Sequence, residues 1–159
     1  MRHGILATGT QCFAKVGLTT GTTTTYTTTV ATDFVIKGTF GTQFGTKSNQ
    51  ATPTTDVNTS AAFPALAVSK GSVYVWGTVA AGTVVVAGGS VEDLDASGNF
   101  KVYPKFPSIP DTMCPFGYYV IKNGLTGSAW TFGSSNWTAT GITATSASVS
   151  FLPDRPVAA

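Results

Sequence analysis

A short acidic segment in the middle of the chain has the spacing of a calcium-binding loop. In DLDASG at 93–98, Asp93, Asp95 and Ser97 match the ligand positions one, three and five of such a loop, and Gly98 matches the glycine at position six. The glutamate that should close the loop is replaced by Pro104, and no helical pattern flanks the segment. The pattern therefore predicts an Asx-type turn between strands, with Gly98 or the asparagine after it in the left-handed conformation. A weak Ca²⁺ site at Asp93 and Asp95 stays open as an alternative.

A second segment resembles a phosphate-binding loop. The residues GTQFGTKS at 41–48 approach the pattern G-x-x-x-x-G-K-[ST], but Thr46 separates Gly45 from Lys47. The motif also requires a strand before it and a helix after it, and no helical pattern follows. We therefore predict a loop with a chance lysine rather than a nucleotide site.

The only histidine, His3, is the one possible partner for a cysteine nucleophile. It lies close to the terminus, where chains are commonly mobile, so we expect a flexible arm rather than a catalytic pair. Cys12 and Cys114 are predicted to be reduced, mostly buried thiols. Cys114 is expected to act as a small hydrophobic residue of the core. The sequence leaves open whether these two cysteines meet.

Glycoside cleavage is the remaining catalytic chemistry. It needs two carboxylates facing each other about 5–10 Å apart. The acids in the middle of the chain are Glu92, Asp93, Asp95 and Asp111. The tryptophans are Trp76, Trp130 and Trp137. No sugar-lined cleft is indicated near the acids, and the tryptophans are expected in a core or interface. We therefore predict no enzyme, no catalytic residue, no cofactor and no metal.

The elements that would position these residues are strands. The run GTTTTYTTTV at 21–30 is rich in β-branched threonine, which favours extended backbone. Threonine catalysis needs a free N-terminal amine or a neighbouring base, and neither is indicated. Alternation predicts two antiparallel strands over 24–31 and 33–40, with Thr32 and Asp33 near the turn. The hydroxyl-rich face could bond across strands or to a partner without charge.

The rest of the chain repeats this pattern. Further strands are predicted over 72–80, 83–87, 99–103, 117–123, 128–132 and 144–151. Asn123-Gly124 is a sequence typical of a hairpin turn. The segment 105–115 is predicted to be an extended, irregular connection, and 41–62 a long exposed loop. The prediction is an all-β fold, a jelly-roll-like β-sandwich or small β-barrel. We expect an extended N-terminal arm over 1–20, a single β domain over 21–156 and a tail over 157–159.

Charge limits the partners that this chain can have. Charged residues make up 10% of its 159 residues, against roughly 25% in ordinary soluble domains. The net charge is +2 and the cations are scattered, so we expect no nucleic-acid binding. No stretch approaches the roughly 18 apolar residues of a membrane span. The start lacks the apolar run of a secretory signal, so we expect synthesis in a cytoplasm. A surface this neutral suits a protein that lives in an assembly.

Two C-terminal segments carry a resemblance to a known class of proteins. They are PDTMCPFGYYVIKNG (110–124) and GITATSASVSFLPDRP (141–156). The shared features are a proline-flanked Cys-Pro-Phe-Gly leading into an aromatic strand, and a closing Leu-Pro-Asp-Arg-Pro. In these features the chain resembles the capsid decoration (cement) and head-fibre-type proteins of tailed bacteriophages.

The resemblance implies a small β-rich protein, often trimeric, that binds the outside of a phage head in many copies. There it would clamp neighbouring major capsid protein subunits, after synthesis in the bacterial host cytoplasm. No catalytic residues are carried over. Segments 1–20, 41–62 and 152–159 are expected to supply edges or arms that add strands to neighbours. A receptor-binding or fibre module for host-surface glycans, and a β-sandwich enzyme, stay as alternatives.

Overall fold

The computed structural model describes residues 9–153, which form an all-β, sandwich-like arrangement of antiparallel sheets. The strands are β1 (Gln11–Cys12), β2 (Leu18–Thr20), β3 (Thr25–Thr28), β4 (Phe34–Ile36), β5 (Thr39–Phe40), β6 (Lys47–Ala51), β7 (Ala65–Leu66), β8 (Lys70–Thr78), β9 (Val84–Asp93), β10 (Cys114–Asn123), β11 (Trp130–Thr131) and β12 (Ile142–Ser148). The predicted all-β class is confirmed.

The longest strands form one four-stranded sheet in the order β12-β10-β8-β9. Its inner strands, β8 and β10, are buried on both faces over most of their length. Their centres are the uninterrupted runs VYVW (73–76) and YYVI (118–121), as expected for strands covered on both sides. The register pairs Val75 with Tyr118 and Val73 with Val120. The strands predicted over 72–80, 83–87, 117–123 and 144–151 all lie in this sheet.

Each face of the four-stranded sheet packs against a separate core. The aromatic core includes Tyr26, Phe63, Tyr74, Trp76, Tyr119, Trp130, Phe132 and Trp137. It joins the sheet to the smaller sheets β1-β4-β5, β2-β3-β6 and β7-β11. The aliphatic core includes Val73, Val75, Met113, Tyr118 and Val120, and the loop side chains Phe100, Phe106 and Ile109 cover it. The two cores explain why the central strands show no polar face.

The predicted hairpin of 24–31 with 33–40 is wrong. The strand over 24–31 exists as β3, but it pairs with β2 and β6. The segment 33–40 folds on itself as the hairpin β4–β5, whose turn is Lys37-Gly38 with φ angles of 50° and 78°. Two consecutive positive φ angles are typical of the type I′ turn that closes two-residue hairpins.

Three local predictions are also corrected. The segment 41–62 is not a continuous exposed loop, since it contains β6 and the buried Phe44. The segment 99–103 forms no strand and contributes one isolated bridge, from Phe100 to Leu94. Asn123-Gly124 ends β10 but does not close a tight hairpin, because the partner strand β12 begins only at Ile142.

The part of the expected N-terminal arm that the structure describes belongs to the domain. Residues 9–20 contain β1 and β2, and Cys12, Val16 and Leu18 are buried in the aromatic core. Burial of these apolar side chains holds the segment against the central sheet. Residues 1–8 of the expected arm and the tail over 157–159 lie outside the described residues.

Candidate interaction surface

Strand β12 forms one edge of the four-stranded sheet. At one end of its pairing with β10, Val149 N–H donates to Phe116 O at 2.9 Å. At the other end, Gly124 N–H donates to Gly141 O at 2.8 Å. Antiparallel ladders bond every second residue, so 143, 145 and 147 face β10. The backbone groups of 142, 144, 146 and 148 therefore point away from the sheet.

Within residues 9–153, the middle of this edge is unpaired. The N–H of Ile142 donates to Ala139 O, and Ser148 Oγ accepts from Leu18 N–H at 2.7 Å. The outward backbone groups of Ala144 and Ser146 make no hydrogen bond with another described residue. We call these groups the open edge. It presents alternating donors and acceptors to an incoming strand.

The opposite edge of the same sheet, β9, is closed. Val86 O accepts from Val57 N–H at 2.9 Å, and Asp56 Oδ2 accepts from Gly88 N–H at 3.1 Å. Further along, Ser90 N–H donates to Lys105 O at 3.1 Å. Neighbouring loop segments thus satisfy the outward groups of β9 at alternate residues. The outward groups of the open edge have no such partner in the part of the chain that the structure describes. Among the described residues, β12 is therefore the edge of this sheet that leaves backbone groups available for pairing.

The open edge lacks charge. No Asp, Glu, Lys or Arg occurs between Asn123 and Pro153, or from Val16 to Thr32, which contains the neighbouring strand β2. Proteins usually guard edge strands with charged side chains, proline or bulges. Within the described part of the chain, β12 has none of these three protections. A partner strand can therefore approach without desolvating an ion.

A second exposed feature is a pair of stacked phenylalanines on the β1-β4-β5 sheet. Phe13 and Phe40 are 51% and 69% exposed, and their ring centroids are 5.9 Å apart. On the same hairpin, an open depression of about 560 Å³ is lined by Ile36, Lys37 and Asp111, among others. Its two charged residues pair with each other, with Lys37 Nζ 2.5 Å from Asp111 Oδ2. This surface suits apolar contact rather than acid–base chemistry.

The carboxylates considered for calcium or sugar chemistry each have a separate partner. Asp95 Oδ1 accepts from the N–H groups of Ser97 and Asn99 at 2.8 and 2.9 Å, which lowers the pKa of Asp95. Gly98 has a φ of 77°, so the predicted Asx-type turn is confirmed. The Lys70 ammonium lowers the pKa of Asp93 by a hydrogen bond and by its charge.

The other two acids are also engaged. Glu92 accepts from the Ser90 hydroxyl at 2.7 Å, and Asp111 pairs with Lys37. Among residues 9–153, no three His, Cys, Asp or Glu side chains are grouped as metal ligands would be. The sequence-predicted acids are therefore not brought together into one site.

The aromatic and cysteine candidates lie inside the protein. Trp76, Trp130 and Trp137 belong to the aromatic core, as predicted, and offer no exposed surface for stacking on a sugar. Cys12 and Cys114 are both buried, and their Sγ atoms are 3.3 Å apart. The two cysteines thus meet, a point that the sequence left open. His3 lies outside the described residues.

The threonine hydroxyls connect strands. Thr28 Oγ1 accepts from Lys47 N–H at 3.0 Å, and Thr27 Oγ1 accepts from Asn49 N–H at 3.2 Å, so both fasten β3 to β6. The phosphate-loop-like segment leads into strand β6 rather than a helix. Its glycine and lysine therefore lack the helix N-terminus that a phosphate site requires.

The open edge itself was not identified from the sequence. Its composition was visible as an uncharged Ser/Thr/Ala strand, but its exposure depends on which strands pair, and residues far away in the chain decide that pairing.

Residues 9–153 contain no helix that could cross a membrane. Comparisons with protein families, characterised proteins and solved structures found no match.

Proposed function

We propose that this chain is a non-enzymatic decoration protein of a tailed-bacteriophage capsid. In this proposal it binds the outer surface of the head, as a homotrimer present in many copies, and stabilises contacts between major capsid protein subunits. The observation that carries the proposal is the open edge of β12. This strand lies inside the segment 141–156, one of the two that resemble capsid decoration proteins.

The mode of attachment would be strand addition. An extended segment of a neighbouring subunit would pair with the outward groups of Ala144 and Ser146 and lengthen the sheet. Main-chain hydrogen bonds supply affinity in such contacts, and the lack of charge avoids repulsion between crowded copies. The exposed Phe13–Phe40 pair would add apolar area to the same assembly.

A receptor-binding or fibre module is the second candidate. Phe13 and Phe40 are exposed aromatic rings, which could stack on sugars of the host surface. The burial of all three tryptophans weakens this candidate, because the largest stacking surfaces are not available. Copy number separates the two functions, since a head carries hundreds of cement subunits but far fewer fibres.

The first experiment counts this chain against the most abundant shell protein by quantitative mass spectrometry of purified particles. A ratio between one to one and one to three supports decoration of the shell. A ratio near one to a hundred favours the fibre module. Absence from the particles overturns both virion functions.

A matched pair of proline variants then tests the open edge. Ala144→Pro removes an N–H that points away from β10, so the hydrogen bonds between β12 and β10 are kept. Proline is tolerated at such a position of an edge strand. Ala147→Pro makes the same change where the N–H faces β10. We expect Ala144→Pro to keep its thermal midpoint within a few degrees and to lose at least tenfold in binding to heads that lack the protein. Ala147→Pro should lower the midpoint. Full binding by Ala144→Pro would exclude β12 as the docking edge.

A further inference from the structure

We infer that Cys12 and Cys114 form a redox-active pair that closes to an intramolecular disulfide, with a low-molecular-weight disulfide as the oxidant. The two Sγ atoms are 3.3 Å apart, and the residues are separated by 102 positions in the chain. A disulfide needs an S–S distance of about 2.05 Å, so a modest approach of two side chains is sufficient. The inference holds whether or not the chain decorates a capsid.

The two thiols are held together by the pairing of strands from distant parts of the chain. Cys12 ends β1, where it pairs with Phe34 of β4, and Cys114 begins β10, where it pairs with Thr78 of β8. The pair therefore bridges a small outer sheet to the central sheet. Both side chains are at most 1% exposed, so the sulfurs are held by packing around them.

The chemistry is a thiol–disulfide exchange in two steps. The thiolate of Cys12 attacks one sulfur of oxidised glutathione, an S–S bond forms, and one glutathione thiolate leaves. Cys114 then attacks the Cys12 sulfur, and the second glutathione thiolate leaves. The two thiol protons pass through solvent to the two glutathione thiolates. Two protein thiols are oxidised and one oxidised glutathione is reduced to two molecules of glutathione.

Position and electrostatics together suggest the roles that we assign to the two sulfurs. The hydrogen bond between the two thiols lowers the pKa of the Cys12 thiol, although burial opposes the change. The same contact, together with burial, raises the pKa of Cys114. The thiolate is the attacking species, and Cys12 lies on the two-residue strand β1, which pairs with one strand only, so we assign Cys12 as the nucleophile of the first step. Cys114 is the resolving thiol.

Access of the oxidant requires a local opening. β1 has only two residues and pairs with a single strand, β4. Short edge strands of this kind open at a small fraction of the global unfolding free energy. We therefore expect slow oxidation that does not need global unfolding, and high resistance of the closed disulfide to reduction.

The test uses the full-length wild-type chain equilibrated with mixtures of reduced and oxidised glutathione. Samples are quenched with acid, alkylated in denaturant and weighed as intact protein. As the share of oxidised glutathione rises, we expect chains with two alkylated cysteines to be replaced by chains with none, without a form that retains glutathione. The effective concentration of the two thiols should be about a thousandfold higher in the folded chain than in guanidinium, because the crosslink closes a long loop. The oxidised protein should melt about 10 °C higher than the reduced protein.

Single variants serve as controls for the wild-type experiment. Cys12→Ser and Cys114→Ser should show a thermal midpoint that the oxidant does not change, and at most one glutathione per chain. The wild-type chain decides the outcome, since its two redox states share one sequence. Two free thiols at every glutathione ratio, or an effective concentration no higher than that of the unfolded chain, would overturn the inference.

Discussion

The side chain of Asn123 holds together parts of the chain that are distant in sequence. It is buried at the end of β10, and its Nδ2 donates to Leu66 O and Ser128 O, both at 2.9 Å. Removal of the amide leaves the buried carbonyl of Leu66 and the part-buried carbonyl of Ser128 without this donor. We expect Asn123→Ala to lower the free energy of unfolding by about 2–3 kcal/mol, measured by urea titration.

Asn99→Ala is the matched control for that variant. The Asn99 side chain is exposed, and the Asx turn uses only its backbone N–H. Surface substitutions of this kind change stability by less than about 0.5 kcal/mol. Equal losses for the two variants would show that the amide of Asn123 has no special role.

Buried tyrosines give the protein a weakness at high pH. Burial raises the pKa of Tyr26 and of Tyr74 from 10.0 to about 12, and burial also raises the pKa of Tyr119. A tyrosine whose folded pKa lies above its unfolded value stabilises the fold fully below pH 10. That contribution is lost as the pH rises from 10 to 12, because the unfolded chain ionises first.

We therefore expect the urea midpoint to be flat from pH 7 to 9 and to fall steeply above pH 10. Tyr26→Phe removes one of the titrating groups, so the urea midpoint of this variant should fall less between pH 10 and 12 than that of the wild type. A midpoint that stays constant up to pH 12 would contradict the burial of these hydroxyls.

At the scale of elements, β8 and β10 approach closely where Gly77 pairs with Pro115. A Cβ added at Gly77 would lie 2.6 Å from Cys114 O and 2.6 Å from the Met113 side chain. Backbone must move to relieve the clash, so we expect Gly77→Ala to cost about 1–3 kcal/mol of stability. Gly45→Ala places the same methyl group where nothing lies within 4 Å, and its midpoint in chemical denaturation should match that of the wild type.

Alternation of side chains predicted where strands lie better than which strands pair. Alternation placed Tyr26, Thr28 and Val30 on one face of 24–31; Tyr26 and Thr28 are buried in β3, whereas Val30 lies beyond the strand and is exposed. The predicted pairing of 24–31 with 33–40 was wrong because 33–40 contains a tight turn of its own, Lys37-Gly38. This turn was not recognised, since Lys37 occupies a positive-φ position that usually takes Asn, Asp or Gly. Local composition indicates extended backbone at both segments, and only tertiary packing decides their partners.

The same limit applies to the candidate surface. That β12 is uncharged was readable from residues 142–148, but that it is an edge follows from β10 pairing with β8 on its other side. The contact of Cys12 with Cys114 likewise depends on how β1 docks, and no local pattern encodes it. Motif templates were more reliable: the Asx turn at Asp95 followed from turn chemistry within one short segment.

For the molecule as a whole, low charge decides how association responds to salt. The net charge is +2, and the open edge and its neighbouring strand β2 lie in segments without charged residues. Contacts made by main-chain hydrogen bonds and apolar area are only weakly screened by ions. We expect binding to heads to change less than about twofold between 50 and 500 mM NaCl, by co-sedimentation. A tenfold loss would instead assign the contact to the scattered lysines and arginines.

The aromatic core has an optical consequence. Trp130 and Trp137 lie 5.5 Å apart by ring centroid, and the rings of Tyr26 and Tyr119 lie 4.8 and 5.8 Å from Trp76. Indoles shielded from water emit at short wavelength, and tyrosines this close pass their excitation to tryptophan before they can emit. The folded chain should therefore show blue-shifted fluorescence, almost no tyrosine emission and strong near-ultraviolet circular dichroism. The protein thus carries its own spectroscopic reporter of whether the sheets are packed.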